Sequence, residues 1–260
     1  MDSTLPTLLL KLQSLTTGIS QSSPSHWTKD NRYQKATYDA WIRACMDKGT
    51  SDPPHIPVWK NVSSRRKFKL LHDPAKRATD YVSAYKEVDV ETLIDENEYS
   101  VEHVLPKSYA KGKSRSDASG DFNNWVEADR DENSKRGNRP LQLWPDSKGI
   151  SLTHYRPPEN QRARLARKWL FARATYAYEN LRPPTDQQLQ HMNDIIAYAK
   201  TSDPEEYEYE MNEFYKDTEQ WSNPLLDRDK KKRDRWYDDI VWRRLAFGLD
   251  ESSPSSVSKI

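Results

Sequence analysis

The chain has 260 residues, a length that fits one large domain or a domain with a modest appendage. Hydrophobic residues make up 35% and charged residues 31%, which predicts an economical core under a densely charged surface. Nine Trp and fourteen Tyr bring large buried areas and argue against disorder over the whole chain. The net charge of +1 excludes a global field that draws the protein to nucleic acid, so any such attraction must come from local patches.

Cysteine content and the first residues indicate the compartment. The single cysteine, Cys45, excludes an intrachain disulfide and a cysteine metal cage, and its helical neighbours Trp41 and Ile42 indicate a core thiol. Residues 1–18 lack a basic region ahead of their leucines, and no apolar run elsewhere is long enough to span a bilayer. With Met1 as the natural start, we therefore expect an intracellular protein with no membrane partner.

Helical periodicity dominates the chain on both sides of a short, strand-rich middle. In that middle, residues 98–105 alternate as a strand, residues 122–126 predict a second strand, and residues 128–136 predict a short helix ended by Gly137. A polar loop with basic side chains connects the two strands. Further helices are predicted, in chain order, over residues 5–15, 32–48, 159–179, 185–200 and 204–220, with a last one within 223–249.

Three residues of the middle segment suit metal-assisted cleavage of a phosphodiester. Glu102 and His103 are adjacent on the first predicted strand, so their side chains diverge and can address opposite sides of one phosphate. A histidine near its unperturbed pKa can take a proton from water at neutral pH. Asn133 adds an amide oxygen to the carboxylate of Glu102, and Mg²⁺ takes oxygen ligands of this kind. A Glu-His pair by itself is more often structural, so the hypothesis depends on the surrounding pattern.

The surrounding pattern resembles a known family. The segments EHVLPKS and DFNNWVEADRDENSKRGNRPL are similar to three ordered blocks of the bacterial endonuclease I family, a branch of the ββα-metal (His-Me finger, HNH-like) nucleases. Those blocks read Glu-His-x-x-Pro-x-Ser, Asp-Leu-His-Asn and Asn-Ser-x-Arg-Gly-Asn. Downstream, LARKWLFARATYAY is similar to a family helix and MNEFYKDTEQWSNPLLD to its closing segment. The resemblance covers about residues 98–227.

This resemblance implies an architecture. We expect a mostly helical α+β domain with a ββα-metal finger embedded in it at residues 98–141. Residues 1–97 and 142–249 are expected to supply the helical parts of the same domain. Residues 250–260 are expected to form a flexible tail.

The resemblance also implies residue roles. His103 is assigned as the general base, and Glu102 and Asn133 as ligands of one Mg²⁺ ion, for which Mn²⁺ can substitute. The family has an arginine that steadies the phosphate, and Arg115 is the best candidate here, with Lys113 second. Nucleic-acid contacts are expected from basic residues of the loop, of the third block and of the basic helix at 159–179: Lys107, Lys113, Arg136, Arg139, Arg162 and Arg167. For the basic helix, a solvated face is the alternative.

The predicted function is that of a Mg²⁺-dependent endonuclease that cleaves DNA with little sequence specificity, with RNA left open as a further substrate.

Two features depart from the family pattern. Asn123 stands where the family has histidine, and the chain shows neither a clear export signal nor cysteine pairs. Because a free nuclease harms its own cell, we expect restricted specificity, an inhibitor or confining partner, a viral or phage origin, or an unrecognised export route.

Two alternative functions remain open from the sequence. One is a nucleic-acid-binding protein with a degenerate nuclease finger, which Asn123 and the missing export signal favour. The other is an assembly protein that keeps the fold for contacts through the acidic, Tyr-rich segment at 204–220 and the basic run at 230–235. Gel retention and nicking of DNA separate these alternatives from the nuclease.

Overall fold

The computed structural model describes residues 83–86, 88–110, 118–176, 181–219, 222–238 and 246–247. Within these residues the protein is mostly helical and contains one small two-stranded sheet, in agreement with the expected mostly helical α+β class. None of the helices in this part of the chain is long and apolar enough to cross a membrane. The helices predicted at 5–15 and 32–48, the tail at 250–260, and both Lys113 and Arg115 lie outside the described residues.

In the described part of the chain, the two strands follow one short helix and precede all the other helices. In order they are α1 (Val90–Asp95), β1 (Tyr99–His103), β2 (Trp125–Asp129), α2 (Arg130–Arg136), α3 (Glu159–Tyr176), α4 (Asp186–Gln190), α5 (Met192–Thr201), α6 (Glu206–Glu219) and α7 (Lys230–Asp238). The strands are therefore followed directly by the short helix α2, and four of the five described helices that come after it are longer. The helix predicted over 185–200 is in fact two helices, α4 and α5, which meet at His191.

The two strands pair antiparallel, with Glu102 opposite Val126 and His103 opposite Trp125. The second strand begins three residues later than the sequence predicted. Phe122–Asn124 instead forms a 3-10 turn, because the Asp121 carboxylate accepts the backbone N–H of Asn123 at 2.8 Å and holds the chain in a turn. All of β2 is buried, whereas Tyr99, Ser100 and His103 of β1 are half-buried.

Helix α2 follows β2 without a loop because Asp129 ends the strand and caps the helix. Its carboxylate accepts the backbone N–H groups of Asp131 and Glu132, both at 2.9 Å, which satisfies donors that have no partner within the helix. Gly137 ends the helix with a φ of +55°, a conformation that glycine adopts without the steric cost of a Cβ. These two residues therefore fix the two ends of α2.

Helix α3 runs through the centre of the protein. Every residue from Gln161 to Tyr176 is buried, because apolar side chains are found on all sides of this helix and not on one face only. Its apolar residues form the main core with α5. A second core lies behind the strands, where Phe122 and Trp125 pack against α6 and the ring of Phe122 stacks on that of Tyr215 at 5.6 Å.

Candidate active site

Helix α2 packs against one face of β1. Ser100 and Glu102 share that face, since alternate residues of a strand point to the same side. The Asn133 Nδ2 donates to Ser100 Oγ at 2.7 Å, and the Arg136 guanidinium forms an ion pair with the Glu102 carboxylate. Asn133 and Arg136 lie three residues apart and therefore on one side of α2. The structure thus places Glu102 and Asn133, the two predicted metal ligands, on the facing surfaces of one strand and one helix.

His103 is the last residue of β1 and its side chain is half-buried. Its Nε2 lies 3.1 Å from the backbone oxygen of Ser119, which also accepts the indole N–H of Trp125 at 3.0 Å. A carbonyl oxygen can only accept, so the contact assigns a proton to Nε2, and in the neutral imidazole Nδ1 is then the basic nitrogen. The imidazole is therefore oriented by the backbone of the segment that precedes β2.

The donor set of Glu102 and Asn133 fits a hard divalent cation. Mg²⁺ is commonly held by one or two protein oxygens, with water and substrate phosphate in the other positions. The hydrogen bond of Asn133 uses its amide nitrogen and does not engage the amide oxygen, which is the atom that a cation would take. Among the described residues, no three His, Cys, Asp or Glu side chains cluster to hold a metal. Glu102 and Asn133 would supply two oxygen ligands to such a cation.

Arg136 is buried, although the sequence predicted it as a phosphate contact. Its side chain is only 1% exposed, and its guanidinium donates to the backbone oxygens of His103 at 2.8 Å and Val104 at 3.0 Å. Burial lowers its pKa, but an arginine starts so far above neutrality that it stays charged. The prediction of a phosphate contact for Arg136 is wrong, because its donors are turned into the protein.

Two other predicted contacts, Lys107 and Arg139, do lie on the surface. Lys107 is exposed in the 3-10 turn Lys107–Tyr109, four residues after His103. Arg139 is exposed after the end of α2, with its guanidinium 5.4 Å from the centre of the Tyr155 ring and a hydrogen bond of 2.6 Å to the Lys135 backbone oxygen. Both side chains are thus accessible to a phosphate near the candidate site.

The nucleic-acid contacts predicted on α3 are wrong. Arg162 is 1% exposed and donates to the Asp146 carboxylate at 2.7 Å and the Trp144 backbone oxygen at 2.9 Å. Arg167 is 2% exposed and forms an ion pair with Glu208 at 2.5 Å. Neither guanidinium can reach a phosphate on the surface. The solvated face that the sequence left as an alternative is wrong as well, because this helix has no exposed basic side.

A charged cluster that the sequence did not predict lies behind the strands. Glu127 of β2 is buried beside Arg164 and Lys168 of α3. Burial raises the pKa of the Glu127 carboxyl to about 7, and burial lowers the pKa of the Lys168 ammonium to about 8. These groups border the second core and not the face of the sheet that carries Glu102, so we assign them no part in the chemistry. Because β2 is buried on both faces, the sequence pattern of this strand did not indicate which of its side chains are buried, and the cluster was not predicted.

Asn123, which replaces the histidine of the resembled family, is fully buried in the turn before β2. Among the described residues, neither its side-chain oxygen nor its side-chain nitrogen makes a hydrogen bond. The neighbouring Asn124 has the opposite character, because its amide bonds to the backbone at Leu105 and Ala118. Asn124 therefore joins the two ends of the loop between the strands, whereas Asn123 carries a cost of desolvation.

Replacing Asn123 with leucine should stabilise the protein. Leucine has the same branched arrangement of heavy atoms as asparagine, and the variant removes a buried amide that makes no hydrogen bond among the described residues, whose cost is about 1–3 kcal/mol. Thermal or urea unfolding of wild type and Asn123→Leu measures the difference, and Asn124→Leu is the matched control that should destabilise. A loss of stability in Asn123→Leu would show that the amide has a partner in solution.

No family model matches the chain, and no curated protein or solved structure matches it either. The likeness to the endonuclease I family therefore stays a prediction that rests on the ordered sequence blocks. The geometry of Glu102, His103 and Asn133 is independent of that likeness, and both support the same chemistry.

Proposed function

We propose that the protein is a divalent-metal-dependent endonuclease that hydrolyses phosphodiester bonds of DNA, with RNA as a further substrate. One observation carries the proposal: β1, β2 and α2 bring the Glu102 carboxylate and the Asn133 amide to facing surfaces and place an oriented imidazole at the end of the same strand. In this proposal the strand–strand–helix unit is a ββα-metal finger. Glu102 and Asn133 hold Mg²⁺ or Mn²⁺, and His103 is the general base.

His103 accepts the proton of the attacking water. The Ser119 carbonyl holds the Nε2–H of the imidazole, so Nδ1 accepts the proton and the same carbonyl stabilises the imidazolium that forms. When bound, the divalent cation neutralises charge on the phosphate and assists the departing 3′ oxygen. Cleavage would then leave a 5′ phosphate. The exposed side chains of Lys107 and Arg139 contact neighbouring phosphates, and Arg115 remains the candidate for steadying the reacting one.

A plasmid-nicking assay tests the proposal. Supercoiled DNA should be nicked in Mg²⁺ or Mn²⁺ and stay intact in EDTA, because charge on the phosphate is then not neutralised. A single-stranded RNA of similar length shows whether RNA is cleaved as well. Intact DNA at all metal concentrations, from protein that is folded by circular dichroism, would contradict the proposal.

Removing either metal ligand should abolish nicking in Mg²⁺. We expect Glu102→Ala and Asn133→Ala to lose it because each takes away one of two protein oxygens, and excess Mn²⁺ should restore part of the activity. Ser134→Ala is the matched control for α2, since Ser134 is exposed and its hydroxyl, among the described residues, bonds only to the backbone oxygen of Arg130. Equal activity of Asn133→Ala and Ser134→Ala in limiting Mg²⁺ would remove Asn133 from the site.

A second candidate function is nucleic-acid binding without cleavage. The observation in its favour is the ion pair between Glu102 and Arg136, which already neutralises the carboxylate that a metal would use. This function predicts retention of DNA in a gel together with intact plasmid in Mg²⁺. Retention that falls with salt would still be expected, because it depends on phosphate contacts.

A further inference from the structure

We propose that Arg136 is a positioning residue. It holds the Glu102 carboxylate in place for metal binding and holds the backbone that carries His103. The inference rests on the proposed function of those two residues and adds to it a residue that acts through them. It replaces the role of phosphate contact that the sequence suggested for Arg136.

The contacts of Arg136 converge on the end of β1. Its Nη1 faces the Glu102 carboxylate oxygen Oε1 and also donates to the backbone oxygen of His103 at 2.8 Å. Its Nη2 donates to the backbone oxygen of Val104 at 3.0 Å, and its Nε to that of Arg139 at 3.1 Å. A guanidinium is planar and rigid, so these donors fix one another. One group thus ties the side chain of Glu102 to the backbone that carries His103.

Arg136 also sets the distance between the two proposed ligands. Asn133 holds α2 to β1 through Ser100, and Arg136 makes a second connection one helical turn later through Glu102. The two connections lie on the same side of α2 and on the same face of β1. A strand and a helix joined at two points cannot slide past each other, so the Asn133 amide and the Glu102 carboxylate keep their relative place.

The surroundings prevent Arg136 from turning to a substrate. The ring of the buried Tyr85 lies 5.9 Å from the guanidinium carbon, and the side chain is only 1% exposed. A swing toward solvent would leave the backbone oxygens of His103 and Val104 without this donor inside the protein. Arg139, three residues later, is exposed, with its guanidinium 5.4 Å from the centre of the Tyr155 ring and 2.6 Å from the Lys135 backbone oxygen, and it serves as the natural comparison.

The ion pair is compatible with a metal at Glu102. A carboxylate has two oxygens, and Arg136 engages Oε1, so Oε2 can serve as the ligand. Ligating carboxylates in metal sites are usually held by a further hydrogen-bonding group, and loss of that group typically lowers metal affinity by about 10–100-fold. Lysine keeps the charge of arginine but lacks the planar fork, so it cannot hold Glu102 and the two backbone oxygens together.

Binding of Mn²⁺ to the protein without DNA, followed by electron paramagnetic resonance, tests the inference. Arg136→Lys should bind Mn²⁺ about 10–100-fold more weakly than wild type, with an unchanged salt dependence of DNA affinity. Arg139→Gln should do the reverse: unchanged Mn²⁺ binding, and a salt slope smaller by about 1 because one phosphate contact is lost. Wild-type Mn²⁺ affinity in Arg136→Lys, or a smaller salt slope, would overturn the inference.

A double variant shows whether Arg136 acts through Glu102. If it does, Glu102→Gln/Arg136→Lys should bind Mn²⁺ no more weakly than Glu102→Gln alone, since the carboxylate to be positioned is already absent. Additive losses would contradict this route. Should Arg136→Lys fail to fold, the Arg136 Nε–H resonance of wild type gives the answer, because it should shift with Mg²⁺ and stay fixed with DNA in EDTA. A shift with DNA alone would overturn the inference.

The two proposals can fail separately. Wild-type protein that binds Mn²⁺ through Glu102 but never nicks DNA would end the nuclease proposal and leave the role of Arg136 intact. Wild-type protein that nicks DNA, with Arg136→Lys equal to it in Mn²⁺ affinity, would end the role of Arg136 and leave the nuclease.

Discussion

Replacing His103 with alanine should lower the rate of DNA cleavage by about 10²–10⁴-fold, the usual contribution of a general base. The variant loses the nitrogen that accepts the proton of water but keeps both proposed metal ligands. We expect the fold to survive, because His103 ends its strand, is only half-buried and meets the Trp125 ring edge-on at 6.2 Å. The Ser119 oxygen still accepts the indole N–H of Trp125. Initial nicking rates in Mg²⁺ measure the effect.

His191→Ala is the matched control for this variant. His191 is also partly buried, pairs with Asp194 at 3.1 Å and stacks on the Trp144 ring at 4.6 Å, and it has no contact with β1 or α2 among its described partners. It should retain wild-type cleavage. Gel retention in EDTA should show equal DNA affinity for wild type and both variants. A His103→Ala protein with full activity would remove the base from the proposed mechanism.

The strand–strand–helix unit could be predicted because its signals are local. Alternation marks β1, the Asp129 carboxylate caps α2, and Gly137 ends it, so each boundary depends on neighbours in the sequence. The boundary of β2 was misplaced because a hydrogen bond from the Asn123 backbone N–H to the Asp121 carboxylate competes with strand pairing in this segment. The sequence therefore predicted the order of the elements in this unit more accurately than where the second strand begins.

The basic helix was misinterpreted because its partners are distant in the sequence. Arg162 is neutralised by Asp146 and Arg167 by Glu208, residues separated from them by 16 and 41 positions. Local composition shows only a run of positive charge, which is equally compatible with a surface patch. The apolar residues on all sides of α3 were the available signal, since a helix of this kind is buried whatever charges it carries.

Breaking the buried ion pair of Arg167 should have the largest effect on stability. Arg167→Met leaves the Glu208 carboxylate charged and buried, which costs about 3–5 kcal/mol, a large share of the about 5–15 kcal/mol that stabilises a typical domain. The variant also removes the donor from the backbone oxygens of Ala199 and Ser202, which accept it at 3.0 and 2.7 Å. Urea unfolding followed by tryptophan fluorescence measures the loss.

The double variant Arg167→Met/Glu208→Met separates the cost of an unpaired charge from the value of the pair. With both charges replaced by apolar side chains, most of the lost stability should return, because the desolvation of two ions is no longer required. Recovery should be incomplete, since Glu208 also accepts the backbone N–H of Glu205 at 3.1 Å at the start of α6. Two results together would contradict the buried ion pair. They are a free energy of unfolding for Arg167→Met within about 0.5 kcal/mol of wild type, and a salt dependence of DNA affinity whose slope is smaller by about 1. Arg167 would then be a phosphate contact on the surface.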